Sequence, residues 1–304
     1  KPTSGEVLFD GTRVNDLPTR ERHIAQVFQF PVVYDTMSVF DNLAFPLRNR
    51  GQDESVVRAR TGEIMELLDL SKLANTKSGS LNPAEKQIVS LGRGIARTDT
   101  MAVLLDEPLT VIDPVLKLDL RRKLRLAQHE LKLTMIYVTH DQHEALTFAD
   151  HVTIMKDGAV MQSDTPEALF LTPRTPFVGY FIGSPGMNRL PCEKTSTGLS
   201  VAGSPIAIQE SIGLAANKLD GTIELGIRPE FVETSIEEKP SWNRMAIRSV
   251  DYAGAYQVLN LESGTVRIKA RVEERFPSQE GDFIWAHFPA DKTHIYVDGE
   301  RLDR

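Results

Sequence analysis

A chain of 304 residues is long enough for two domains, each with its own core, and 41% hydrophobic with 25% charged residues is the make-up of an ordinary soluble globular protein. A formal charge of -7 speaks against a nucleic-acid binder working by bulk electrostatics, because phosphate binding needs a basic footprint. The single cysteine, Cys192, fits a reducing compartment; no apolar run reaches bilayer length and no signal peptide is visible, so work at a membrane goes through a partner.

The chain opens on "KPTSGEVLFDG", a turn, a strand and another turn, which has the look of the middle of a domain. Residues 6 to 9 and 24 to 29 are predicted as short strands, the first closed by Asp10 and Gly11. A polar stretch with Pro31 and Pro46 follows, then a predicted helix over roughly 55 to 70 with Val57, Ile64 and Leu68 on one side. Asn82-Pro83-Ala84-Glu85 opens the next helix with an N-cap, a proline at N1 and a glutamate at N3, and Ile88, Leu91 and Ile95 form its core face. The apolar run "MAVLL", 101 to 105, predicts a buried parallel strand. A helix carrying Leu116, Leu120, Leu124, Ala127 and Leu131 leads to a second one, "TMIYVTH". The basic run Arg121, Arg122, Lys123, Arg125 on that helix is taken as a solvated face. "VTIMKDGAVMQSD" predicts a hairpin turning at Asp157-Gly158. Strand, helix, strand in this order means βαβ units and a mainly parallel sheet. Beyond about residue 187 the helical period fades. "VLNLESGTVRIKARV" alternates, with Val266, Ile268, Ala270 and Val272 on one face and Arg267, Lys269 and Arg271 on the other, which predicts a compact β-domain.

Three positions could carry chemistry. The apolar run 101 to 105 ends in Asp106-Glu107, and ligands of α/β sheets bind beyond the carboxyl ends of strands. One acid there can hold Mg²⁺ through its water shell and the other can take a proton from an attacking water. His140 ends the next strand and should share that rim, where an imidazole can meet a phosphate or orient a water. Gln29 ends an early strand, where an amide can ligate Mg²⁺. His143 has no companion ligands and is taken as a surface helix residue.

Gln29, the "LNPAE" to "LGRGIAR" helix, "VLLDEPL", "TVIDP" and "YVTHDQHEALTFADHVTIMKDG" stand in the order of the Q-loop, signature helix, Walker B, D-loop and switch histidine of ATP-binding-cassette (ABC) ATPases, which the chain resembles along nearly its whole length. The extension through "DTPEALFLTPRTPFVGYFIGSPGMN" and "LGIRPE" is similar to the sugar and polyol importer branch, which includes the maltose-importer ATPase. The resemblance implies an α/β P-loop NTPase-like core over 1–187, with a helical subdomain about 40–97. It implies a β-rich OB-like (TOBE-type) regulatory domain over 188–304. It further implies ATP and Mg²⁺ as cofactors, Glu107 as general base, His140 as the γ-phosphate switch, Asp106 and Gln29 in the Mg²⁺ shell, and Asp113 in the D-loop. The aromatic stretch after Gln29 would receive a helix of transmembrane permease subunits, with an extracytoplasmic solute-binding protein upstream. The subunit would sit peripherally on the cytoplasmic side of the inner membrane.

Two departures shape the expectations. No GxxxxGK[ST] occurs, and the family places that clamp just upstream of the stretch matching "KPTSGEVLFDG". The chain is therefore expected to be a piece lacking its N-terminal part, and as given not to bind ATP properly. At the signature, Leu81, Asn82, Pro83, Ala84 and Glu85 stand where the family has LSGGQ. Pro83 removes a backbone N–H, Ala84 adds a methyl where close approach is wanted, and Glu85 brings a negative charge. Two like charges ~5 Å apart at an effective dielectric of ~20 repel by roughly 3 kcal/mol. Each change improves a helix start and damages an anion clamp. With Glu107 and His140 intact, this predicts a heterodimer with a second, different ATPase, one good site and one slow one. A non-hydrolysing regulatory subunit and a soluble, non-transport ABC ATPase are the other readings.

Overall fold

The computed structural model describes residues 1–195, 198–202 and 220–302, and the chain divides into two compact units, Lys1–Ala149 and Asp150–Arg304. In the first unit, β1 (Leu8–Phe9) and β2 (Thr12–Arg13) form a hairpin closed by Asp10 and Gly11. Then come β3 (Ile24–Val27), α1 (Val39–Arg48), α2 (Glu54–Leu67), α3 (Pro83–Ala96), β4 (Ala102–Asp106), α4 (Pro114–Glu130), β5 (Met135–Val138) and α5 (Gln142–Phe148). The strands β3, β4 and β5 make a parallel sheet in that order, with Ile24 opposite Ala102 and Val103 opposite Met135. The sheet buries one face, where Val27, Val103 and Leu105 lie in one core with Leu43, Ile64, Leu91, Ile95 and Leu124; on β5, expected as a buried strand, Ile136 and Val138 are exposed.

Helix α1 falls in the stretch that reads as polar and proline-bearing. Burial of Val39, Leu43, Ala44 and Leu47 outweighs the donor that Pro46 lacks near the helix end. Helix α3 approaches its neighbours through glycines. A Cβ at Gly92 would lie 2.5 Å from Leu43 Cδ2, and one at Gly94 would lie 2.6 Å from Val27 Cγ2. Helix α4 corrects one expectation. Leu120, Leu124 and Ala127 are buried, but Leu116 is 51% exposed, because the first turn of the helix, with Val115 and Leu118, projects beyond the core.

The second unit begins with the hairpin β6 (Val152–Lys156) and β7 (Ala159–Asp164), whose Asp157 and Gly158 both have positive φ, as a tight hairpin turn requires. Two short helices, α6 (Pro166–Leu171) and α7 (Pro176–Phe181), each start with a threonine cap followed by proline. Ten strands follow: β8 (Asn188–Thr195), β9 (Gly198–Val201), β10 (Ile223–Ile227), β11 (Glu233–Ser235), β12 (Asn243–Tyr252), β13 (Tyr256–Ser263), β14 (Val266–Glu273), β15 (Phe283–His287), β16 (Thr293–Val297) and β17 (Glu300–Arg301). They form two antiparallel five-stranded sheets, β17-β16-β10-β8-β9 and β11-β15-β12-β13-β14. The alternation in β14 points Val266, Ile268, Ala270 and Val272 into the core and the charged residues outward. Asn188 joins the two sheets: its side chain donates to Lys269 O and accepts from Lys269 N, both at 2.8 Å.

A domain boundary between 187 and 188 would fall inside this second unit. The reason is Arg228, 2% exposed, which donates to the carbonyls of Leu169, Phe170, Gly179 and Ile182 and so ties α6 and α7 to the β-structure. Tyr296 adds a bond to Pro173 O at 3.1 Å. No helix among the described residues is long and apolar enough to cross a membrane.

Candidate functional site

The carboxyl ends of β3, β4 and β5 bring three of the sequence-predicted residues together. Glu107 follows β4 directly, and its N–H donates to Val138 O at the end of β5 at 2.9 Å. Its φ of 44° lies in the left-handed region, an uncommon and strained conformation for a glutamate. The carboxylate is held on both oxygens. Oε1 lies 3.0 Å from His140 Nδ1, while Oε2 accepts from Gln29 Nε2 and from Thr110 Oγ1, each at 3.2 Å. The His140 hydrogen bond is the main reason the Glu107 carboxyl is held below its ordinary 4.5. The group is therefore an ionised, pre-aimed acceptor at neutral pH.

Two strand ends differ from expectation. Strand β3 stops at Val27 and β5 at Val138, so Gln29 and His140 each sit two residues past their strands. The backbone leaves the sheet because side chains capture it. Phe28 O accepts from Gln87 Nε2 at 3.1 Å. Beside His140, Thr139 Oγ1 accepts from Asp141 N at 3.0 Å and donates to Glu144 Oε2 at 3.0 Å. Glu144, 4% exposed, also accepts from Tyr137 OH at 2.9 Å, so one buried carboxylate braces the turn that carries His140.

The other predicted residues stand apart from this triad. Asp106 ends β4 with its side chain exposed, and Asp113 is the exposed N-cap of α4, accepting from Val115 N at 2.9 Å. Leu81 is buried, whereas Asn82 and Pro83 are exposed at the start of α3. There the capping box is complete: Asn82 Oδ1 accepts from Glu85 N, and Glu85 Oε2 accepts from Asn82 N, both at 2.9 Å. His143 is exposed on α5. The basic run on α4 is more than a solvated face. Arg121 donates to Thr147, Arg125 donates to the carbonyls of Thr147 and Phe148 at the end of α5, and Lys123 pairs with Asp119 and Asp69.

Gln87 is the site residue that pattern reading misses. It is fully buried on α3, and Nε2 donates to Pro108 O at 2.9 Å as well as to Phe28 O. The signal available is a polar residue on the inward side of an apolar-periodic helix, since a buried amide must find partners.

Among the described residues no three His, Cys, Asp or Glu side chains converge as a metal cage. Magnesium usually keeps several waters and shares phosphate oxygens, so it needs only one or two protein oxygens. The exposed Asp106 carboxylate and the amide oxygen of Gln29, whose nitrogen is committed to Glu107, are hard donors of that kind and fit it.

The ABC transporter family profile matches residues 1–110. The oligosaccharides import ATP-binding protein MsmX of Bacillus subtilis (strain 168) is 31% identical over 97% of this chain and 82% of its own length. The sn-glycerol-3-phosphate import ATP-binding protein UgpC of Psychromonas ingrahamii is 37% identical over 97% of this chain and 79% of its own. Among solved structures, cbiO1 from Clostridium perfringens, part of the ABC transporter complex cbiONQ, is similar with a TM-score of 0.51 and 26% identity, over 56% of this chain and 69% of that one. With strand-end residues in this arrangement and relatives at this identity and coverage, the chain belongs to the ABC transporter family, with the mixed α/β fold of its ATPases and a β-rich C-terminal region.

Proposed function

We propose that this chain is the ATP-hydrolysing subunit of a bacterial importer for a sugar, a polyol such as glycerol, or a sugar-phosphate-like solute, docked on transmembrane permease subunits at the cytoplasmic face of the plasma membrane. The observation that carries the reading is the Gln29–Glu107–His140 cluster on one rim of the sheet. The solute class rests on the relatives, which are import proteins for oligosaccharides and for sn-glycerol-3-phosphate.

When bound, ATP with Mg²⁺ supplies the γ-phosphoryl group and neutralises the charge that develops as it is transferred. Glu107, ionised and clamped on both oxygens, takes the proton of the attacking water and becomes the neutral acid. His140 donates to Glu107 through Nδ1, and in its doubly protonated form Nε2–H is left to donate to a phosphate oxygen. Gln29 binds the base through its nitrogen and offers its oxygen to the Mg²⁺ shell. The GxxxxGK[ST] clamp is not among the 304 residues, and phosphate cradling is assigned to no residue of this sequence. The exposed Phe28, Phe30, Val32 and Tyr34 beyond β3 supply an apolar surface for a permease helix.

The finer reading is a pair of unlike ATPases. At the start of α3, the capping box uses the N–H groups of Asn82 and Glu85, Pro83 has none, and the Glu85 carboxylate adds negative charge. A helix start in this condition grips a partner's phosphate poorly. A partner with a glycine-rich signature would complete the site around Glu107.

Substitution of Glu107→Gln in the assembled transporter tests the central claim. ATP turnover is expected to fall by at least about 100-fold with the complex intact. Turnover that survives largely unchanged removes Glu107 as the base and favours a non-hydrolysing role. Mass identification of every co-purifying subunit tests the pairing: a second ATPase sequence supports it, and copies of this chain alone overturn it. Absence of any permease favours the soluble, non-transport reading.

A further inference from the structure

Helix α3 holds the loop after β3 with three side chains spaced three residues apart on one face. Arg93 Nη1 donates to Val32 O, and its guanidinium lies 4.6 Å from the centroid of the Tyr34 ring. Ser90 Oγ accepts from Val32 N at 3.4 Å. Gln87 closes the series, and its two acceptors are the carbonyls of Phe28, the residue before Gln29, and Pro108, the residue after Glu107.

The amide can face only one way. Both partners are carbonyl oxygens, so the NH₂ group must point at them, and a flipped amide would set Oε1 against two oxygens. The consequence is visible: Oε1 is buried with no hydrogen-bond partner among the described residues. Leaving such an atom unpaired costs about 1–3 kcal/mol. A side chain chosen for stability alone would not carry that cost, whereas one chosen to join two loops with two donors must.

We infer that Gln87 is a positioning residue that fixes Gln29 against Glu107, and that it links the loop bearing the exposed Phe30, Val32 and Tyr34 to the hydrolytic carboxylate. It touches no substrate and acts only through the two backbone segments it bridges. The inference rests on Glu107 being the base. Because α3 begins at the capping box, one helix joins the signature position, the permease-facing loop and the base.

The test is steady-state ATP hydrolysis by the assembled transporter carrying Gln87→Met, similar in size with no donor, and Gln87→Glu, the same shape with the donors removed. For Gln87→Met, kcat is expected to fall by about 100-fold, the scale of a roughly 1 Å misplacement of a catalytic group, while KM for ATP stays within about threefold. Combined with Glu107→Gln, the same change should bring no further loss, because residues acting as one unit are not additive. Buried against two carbonyls, the carboxyl of Gln87→Glu keeps its proton to higher pH and regains one donor when protonated. Its rate relative to Gln87→Met should therefore rise as pH falls, a readout that holds even if both variants are partly destabilised. An unchanged kcat, a loss carried by KM, full additivity with Glu107→Gln, or a pH-independent ratio each overturns the inference. If Glu107→Gln itself stays active, it is the assignment of the base that fails.

Discussion

Glu107 combines a left-handed backbone with a carboxylate bonded on both oxygens, so its aim is fixed before any substrate arrives. Its carboxyl lies below the ordinary 4.5, chiefly through the His140 hydrogen bond. A depressed folded value means the contact stabilises the fold above about 4.5, and that this contribution is lost as pH falls through the folded value. Substituting His140→Gln should move the Glu107 carboxyl back up toward 4.5, which NMR titration of that carboxyl would show; an unmoved titration removes His140 as the cause. Glu107 and His140 were legible in the sequence because two apolar strand runs point at them and strand ends place ligands. Gln87 and Glu144 were not, since a buried polar residue inside a helix looks the same in sequence as one on its wet edge.

Helix α3 shows how far local signals reach. Its start was readable in full from Asn82, Pro83 and Glu85, because capping is a short-range exchange of hydrogen bonds. Replacing Asn82→Ala should lower stability by about 1 kcal/mol in denaturant unfolding, and no loss would mean the cap is idle. The glycines of the same helix are a long-range matter. Gly94→Ala gains up to about 1 kcal/mol of helix propensity, yet its methyl meets the stiff Val27 side chain at 2.6 Å. Overpacking of this kind costs about 1–3 kcal/mol, so a net loss of stability is expected, and a gain would show that α3 can shift away from β3. The first turn of α4 and the local pattern over α1 depart from the structure for a related reason. Leu116 keeps the helical period without having a core to face, and Pro46 breaks a rule that burial overrides.

At the scale of the whole molecule, the fold class and the two-part organisation follow from strand and helix periodicity, but the division point does not. It depends on Arg228, whose buried guanidinium, pulled down to about 10 by burial and resting 3.8 Å from the Phe170 ring centroid, reaches back across some fifty residues of sequence to four carbonyls. Substituting Arg228→Met leaves those carbonyls without their donor, and a loss of roughly 3 kcal/mol or more is expected, read as faster hydrogen exchange over 166–182. Unchanged exchange there would mean α6 and α7 are held by apolar packing alone. The other large-scale feature is the sheet β3-β4-β5, in which β5 is an outer strand among the described residues and carries Ile136 and Val138 at 52% and 54% exposure. An outer strand with bare backbone groups and apolar side chains is a template for further strands. Handled as an isolated 304-residue polypeptide, the protein should therefore self-associate through β5 as its concentration rises, and Ile136→Lys should keep it dispersed in light scattering. The strand that leads to His140 is thus also a part of the purified chain that needs a neighbour to stay in solution.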